Sequence, residues 1–405
     1  MSSFDSLIYD WNLEEGSFTP TEPIQLDDET LRDGLQSPSV RDPSLEEKIE
    51  LVHLMESLEI DTADIGLPGA GGRPREDILR IAKEVADNRL KLQLNVACRT
   101  VVSDIEPVVE ITQKAGIPIE VCAFIGSSTV RQYSEGWELD TLLGHTRTAL
   151  EFARDHDLPV MYVTEDTSRA HPETVKALYS LAIELGAKRL CVCDTTGHST
   201  PSGARAVVSY VKRIIDDLGV EVGIDWHGHR DRGLALINSL AAVEAGATRI
   251  HGTALGVGER TGNTAMDMLL VNFKLLGWKD ADLTKLPQYV RTASLAIGVP
   301  IQRNYPVLGE DAFETATGVH AAAVIKGMQK GDQALADLVY SGVPASMVGR
   351  SQKIRVGPMS GRSNVTHCLE RLGLPATEDN ITRILEKAKS SKALLSDEEI
   401  EATLA

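Results

Sequence analysis

Residues 187–229 read AKRLCVCDTTGHSTPSGARAVVSYVKRIIDDLGVEVGIDWHGH. A short β-rich run, Arg189 to Thr196, breaks in polar residues and gives way to a longer segment with helical spacing. That segment stops at Gly219, where a left-handed helix cap favours a residue without a Cβ, and a second β-rich run follows from Glu221 to His229. The same unit of strand, break and helix recurs eight times between Ile24 and Gly256. The other predicted strands are Ile24 to Leu31, Thr62 to Pro68, Leu92 to Arg99, Ile119 to Gly126, Pro159 to Glu165 and Arg249 to Gly256. Most are apolar on both faces, as strands buried in a parallel sheet must be.

The helical segments carry their own punctuation. Leu45, Ile49, Val52 and Met55 recur at spacings of four and three behind a Ser44-x-x-Glu47 capping box, and Val175, Leu178, Ala182 and Leu185 repeat the pattern. Eight such units over roughly 250 residues predict an α/β protein built on a (β/α)8 TIM barrel. The alternative, a doubly wound open sheet, requires a Gly-rich fingerprint after the first strand, where LDDETLRDGLQ has only Gly34. The catalytic barrel is assigned to residues 24–300, and residues 301–405 form a smaller, mostly helical accessory region ending in a capped helix at Ser396-x-x-Glu399.

Composition narrows the class of function. With 59 acidic residues against 41 Lys and Arg, the 405-residue chain carries a formal charge of −18, which argues against a nucleic-acid or anionic-membrane binder. Five cysteines, Cys98, Cys122, Cys191, Cys193 and Cys368, are an odd number in apolar contexts and read as buried thiols of a reducing, cytoplasmic protein. The first twenty residues carry acids where an export signal carries Lys or Arg, and no apolar run approaches the ~18 residues of a membrane helix.

In a TIM barrel the working surface is the rim at the C-terminal ends of the strands. Here those ends are polar: Arg32-Asp33 after the first strand, Glu165-Asp166 after the fifth, Asp194-Thr195-Thr196 after the sixth, His227-Gly228-His229 on the seventh, and a Gly-rich loop with Glu259 and Asn263 after the eighth. Residues two apart on a strand face the same side, so His227 and His229 present two imidazoles together and invite a divalent metal. The alternative is a pair of surface histidines bonded to loop carbonyls. Asp33 and Asn263 sit on adjacent strand ends once the barrel closes, and they can complete an octahedral site that keeps positions open for a chelating substrate. Glu259 can orient a base or take a proton. Arg32 can carry positive charge to a developing oxyanion, or pair with a rim acid. Asp64 can reach the pocket or hold Arg32 in place, the second being preferred, and the Cys191-x-Cys193 pair reads as packing.

Five segments in order, DDETLRDGLQ, EDTSR, DTTGHSTP, HGHRDRGLA and GTALGVGERTGN, together resemble the DRE-TIM metallolyase superfamily, within it the 2-isopropylmalate synthase and homocitrate synthase-like group. The similarity spans about residues 24 to 365. It implies a divalent ion (Mg, Mn, Co or Zn) held by Asp33, His227, His229 and Asn263, and acetyl-CoA as cosubstrate. It further implies a 2-oxo acid bound through Arg32 and Thr195, with Asp64 and Glu165 as further substrate-side groups. Glu259 and His320 match the family's acid-base pair, and Tyr340 matches a tyrosine of the accessory region. The implied reaction is a Claisen condensation giving a 2-alkylmalate and CoA, most closely that of 2-isopropylmalate synthase in leucine biosynthesis. Homocitrate, citramalate, Re-citrate and benzylmalate synthases and a hydroxymethylglutaryl-CoA lyase-like activity are alternatives.

Leu35 stands where the synthases usually carry glutamate, as in the lyases, but the loop after strand eight has Glu259 and no lyase-type cysteine. Strand two ends in Asp64 and LPGAGG in place of the usual glutamate and GFPAAS, and FIGSSTVRQYSEGW after strand four lacks the histidine of well-known isopropylmalate synthases. The keto acid's side chain therefore stays open at this point. The resemblance also implies a homodimer in which the accessory region of one subunit, with His320, serves its neighbour's site. No C-terminal leucine-binding domain is expected.

Overall fold

The computed structural model describes residues 7–13, 16, 18–331 and 333–405, so part of the acidic stretch that argued against an export signal lies outside them. Eight parallel strands close into a barrel: β1 (Gln25–Asp28), β2 (Thr62–Asp64), β3 (Gln93–Arg99), β4 (Ile119–Gly126), β5 (Val160–Glu165), β6 (Arg189–Asp194), β7 (Gly223–Gly228) and β8 (Arg249–Gly252). Closure is made by β1 on β8, with Gln25 opposite Arg249 and Asp27 opposite His251. The helices between strands include α1 (Leu45–Ser57), whose start at Ser44 is a complete capping box, α2 (Gly72–Asn88), α3 (Val102–Ala115), α4 (Thr129–Glu135), α5 (Leu139–Asp155), α6 (Pro172–Glu184), α7 (Pro201–Leu218) and α8 (Ala235–Glu244). Gly219 ends α7 at φ +65°, the left-handed turn its position called for. Among the described residues, no helix is long and apolar enough to cross a membrane.

Several strands are shorter than their sequence patterns. β1 stops at Asp28 rather than Leu31 because the Glu29 carbonyl accepts from the amides of both Arg32 and Gly34, curling the chain off the sheet. β7 ends at Gly228, and His229 instead makes an isolated antiparallel bridge with Asn263. β8 ends at Gly252 and runs into a tight turn over Ala254–Gly256. Nor is the barrel's interior uniformly apolar: Asp27, Asn95, Asp225, Arg249 and His251 are all buried in it.

The chain forms two compact units. One comprises residues 18–282 and 288–300, the barrel with α9 (Met266–Leu275) and most of α10 (Leu286–Ile297); the other gathers residues 283–287 and 301–405 with the described residues up to 17. In the second unit, α13 (Arg362–Arg371), α14 (Glu378–Ser390) and α15 (Asp397–Leu404) share a core of Val365, Leu369, Ile381, Ile384 and Ile400, and α15 begins with a capping box at Ser396. A two-stranded parallel ribbon, β9 (Glu314–Thr315) and β10 (Lys353–Ile354), joins α11 (Gly318–Gln329) and α12 (Gln333–Val339) in that unit.

Candidate metal centre and substrate cavity

The turn after β1 aims three charged side chains inward. Arg32 donates through Nη2 to Glu29 Oε1 at 2.6 Å, through Nη1 to Asp33 Oδ2 at 3.0 Å and through Nε to Asp64 Oδ2 at 2.9 Å. A guanidinium has five N–H groups, so two remain. Burial opposes ionisation of Asp33, but Arg32 overrides it and holds the carboxyl below its ordinary range. Asp64 lies at the end of β2 and grips Arg32, whereas burial pushes its own carboxyl up.

From β7 and the residue after it, His227 and His229 bring their Nε2 atoms to 3.1 Å of each other, 3.5 and 3.7 Å from Asp33 Oδ2. Burial, and His227 beside it, push His229 well below its ordinary value, so it is a neutral ring with a lone pair to offer. Asn263, bridged to His229, is buried; its Nδ2 donates to the Val257 carbonyl at 3.4 Å while Oδ1 has no partner. Ligands about 2.1 Å from one cation at right angles stand about 3 Å apart, so the spacing of the Asp33, His227 and His229 donors fits a shared divalent ion, and the Asn263 amide oxygen, on the residue bridged to His229, is the candidate fourth donor.

His227 also faces a second group, and one ring cannot bind metal through both faces. Glu29 Oε2 lies 2.8 Å from His227 Nδ1, an ion-pair distance off the hydrogen-bond axis, and Glu29 Oε1 lies 2.9 Å from His251 Nδ1. The other nitrogen of His251 is 2.8 Å from Asp225 Oδ2. Both nitrogens of His251 thus meet carboxylates; burial works against its charge, but Asp27, Glu29 and Asp225 around it raise it well above its ordinary value. An imidazolium already satisfies this lower group, which leaves the His227 Nε2 lone pair for the upper one.

A single cavity of about 220 Å³ opens onto these groups and is also lined by Glu165, Thr195, Glu259 and Arg260. Thr195 Oγ1 accepts from the Asp166 amide at 2.8 Å, so its hydroxyl proton is free to be donated into the cavity. Burial raises the Glu165 carboxyl. The backbone amide of Glu259 donates to Asp33 Oδ1 at 3.4 Å, tying the loop after β8 to the turn after β1. Gly258 beside it is closely packed: a Cβ there would collide with Asn263 Nδ2 and lie 3.0 Å from Asp33 Oδ1. Gly258→Ala is therefore expected to displace Asn263 and weaken divalent-ion binding roughly tenfold or more, measured by titration calorimetry, and to lower the thermal transition as well, since Gly258 holds φ +155°.

The structure thus brings together Arg32, Asp33, Asp64, Glu165, Thr195, His227, His229 and Glu259 around one cavity, with Asn263 against Asp33. His320 and Tyr340 belong to the other unit, where both are exposed and their ring centroids lie 4.4 Å apart, tilted by 35°. Cys191 and Cys193, 3.7 Å apart, pack with Cys122 and Met161. Sequence reasoning missed Glu29, Asp225 and His251. The available signal was the acid run Asp27-Asp28-Glu29 in a strand otherwise destined for burial.

The family model described as HMGL-like matches residues 23–293. The chain is 32% identical over 366 residues to a homocitrate synthase of Pyrococcus abyssi, covering 90% of this chain and 94% of that protein. It is 29% identical over 370 residues to a 2-isopropylmalate synthase of Sulfolobus acidocaldarius, covering 91% and 90%. Among solved structures, hydroxymethylglutaryl-CoA lyase from Pseudomonas aeruginosa superposes with a TM-score of 0.57 at 19% identity, over 69% of this chain and 94% of that one, a likeness of fold.

Proposed function

Because the chain belongs to the HMGL-like family, within the DRE-TIM metallolyase superfamily, we propose that it condenses acetyl-CoA with a 2-oxo acid to give a 2-alkylmalate and CoA, in the manner of 2-isopropylmalate synthase. The observation that carries this reading is the carboxylate of Glu259 lining the same cavity as the metal donors, in the loop where a lyase of this kind would need a cysteine. Relatives named homocitrate and 2-isopropylmalate synthase, aligned over nine-tenths of the chain, support the same class.

Asp33, His227, His229 and Asn263 would hold the divalent ion. When bound, that ion supplies Lewis-acid polarisation at a keto oxygen and an anchor for the adjoining carboxylate. Arg32 directs its remaining N–H groups at the oxygen where negative charge grows, from a side chain largely removed from solvent, where such a contact is worth more than in water. Thr195 donates its hydroxyl proton to the substrate carboxylate and so fixes the keto acid's orientation. Glu259, paired with His320, removes a proton from the acetyl methyl; the resulting carbanion forms the new carbon–carbon bond to the keto carbon, whose oxygen takes up a proton. Water then cleaves the thioester and releases CoA. Tyr340, packed against His320, orients that ring. The reading places His320 at a neighbouring subunit's barrel in a cytoplasmic homodimer.

A thiol reagent reporting free CoA, with a panel of 2-oxo acids, tests this directly. Release is expected only when acetyl-CoA, a 2-oxo acid and a divalent ion are all present. If no oxo acid supports metal-dependent release, the synthase reading is lost.

A further inference from the structure

Resting on that reading, we infer that the cavity selects 2-oxo monocarboxylic acids with a small apolar side chain and turns away 2-oxo dicarboxylates. The wall adjoining the metal donors is apolar. Cys193 lies opposite His227 in the β6–β7 register, and it packs with Cys191, Cys122 and Met161, against which Val163 also lies. All five line the same cavity as Arg32, Asp33, His227 and His229. An aliphatic group carried on the keto carbon can leave water by lying against this thiol and thioether surface.

The charge around that wall points the same way. Five carboxyl groups line the cavity, those of Glu29, Asp33, Asp64, Glu165 and Glu259, with the guanidinium groups of Arg32 and Arg260 and the His251 imidazolium, which Glu29 and Asp225 hold from either side. Arg32 already serves Glu29, Asp33 and Asp64. Arg260 is held by Asp231 through Nε and Nη2, and Nη2 also donates to the Thr195 carbonyl. Among the described residues no lysine lines the cavity. A second substrate carboxylate would meet only cations that already hold carboxylates, so it would be buried without a partner of its own. Discrimination on that scale exceeds what one methylene can give.

The test uses the full-length protein loaded with Mn²⁺ and follows binding by titration calorimetry alongside CoA release. 2-Oxoisovalerate and pyruvate are compared with 2-oxoglutarate and oxaloacetate. At least one monocarboxylate is expected to bind roughly tenfold or more tightly than either dicarboxylate. Val163→Phe, which fills the apolar wall, is expected to weaken 2-oxoisovalerate more than pyruvate by roughly tenfold while leaving Mn²⁺ affinity unchanged. Dicarboxylates binding as tightly as monocarboxylates, with CoA still released, overturns the selectivity and leaves the synthase reading standing. Monocarboxylate binding without CoA release from any acid overturns the synthase reading and upholds the selectivity. Equal loss of both monocarboxylates in Val163→Phe, or no binding by any acid, overturns the subsite.

Discussion

His229→Ala is expected to reduce Mn²⁺ affinity by roughly a hundredfold or more and to bring CoA release to background, while far-UV circular dichroism stays that of the parent. Among the described residues His229 Nδ1 has no hydrogen-bond partner, and its Nε2 faces His227 and Asp33, the groups with which it would share an ion. Little else in the fold leans on the ring, so the loss should be functional rather than structural. Asn263→Ala removes a buried amide whose oxygen is likewise unpaired and should move metal affinity in the same direction. Metal content unchanged in His229→Ala would remove the proposed ligand set, whatever the activity.

The largest effect on stability is expected from Asp225→Asn. This carboxylate is fully buried and binds Arg189 Nε and Arg249 Nε at 2.5 Å each and His251 Nε2 at 2.8 Å. Burial alone would raise its carboxyl, but the two guanidinium groups and His251 hold it well below the carboxylate range. Removing the charge leaves cations in the barrel interior without their anion, which costs about 3–5 kcal/mol and on the order of 10 °C in Tm. Because the folded carboxyl is depressed, its contribution is complete above the unfolded value near 4 and is lost as pH falls below it. The gap between parent and variant in urea unfolding should therefore be widest at neutral pH and close progressively in acid. Asp231→Asn is the contrast, since its pair with Arg260 is partly exposed; it should cost about 1 kcal/mol or less. Equal midpoints for Asp225→Asn and the parent at pH 7 would refute the buried-network account.

The upper half of the candidate site was legible because its signals are short-range. His-x-His on a strand puts two rings on one side whatever the rest of the chain does, and Arg32 and Asp33 follow the first strand directly. The lower half was not. Glu29 and His251 are 222 residues apart, and nothing local tells either that the other is its partner. Closure of β1 on β8 sets Asp27 opposite His251 and carries Glu29 to its ring. The overlong reading of β1, to Leu31, has a related cause: the turn at Glu29 is made by its own carbonyl bonding two later amides, which periodicity does not register.

Alternation of strand and helix, the caps that end each helix, the eightfold count and the polar strand ends are properties of neighbouring residues, and the amino-acid order alone determines them. Which acids become ionic partners, which face of His227 is free, and whether the cavity has a cation to spare depend on strand register and barrel closure. Those choices belong to the tertiary structure, because electrostatic energies depend on distances in space that a linear order does not contain.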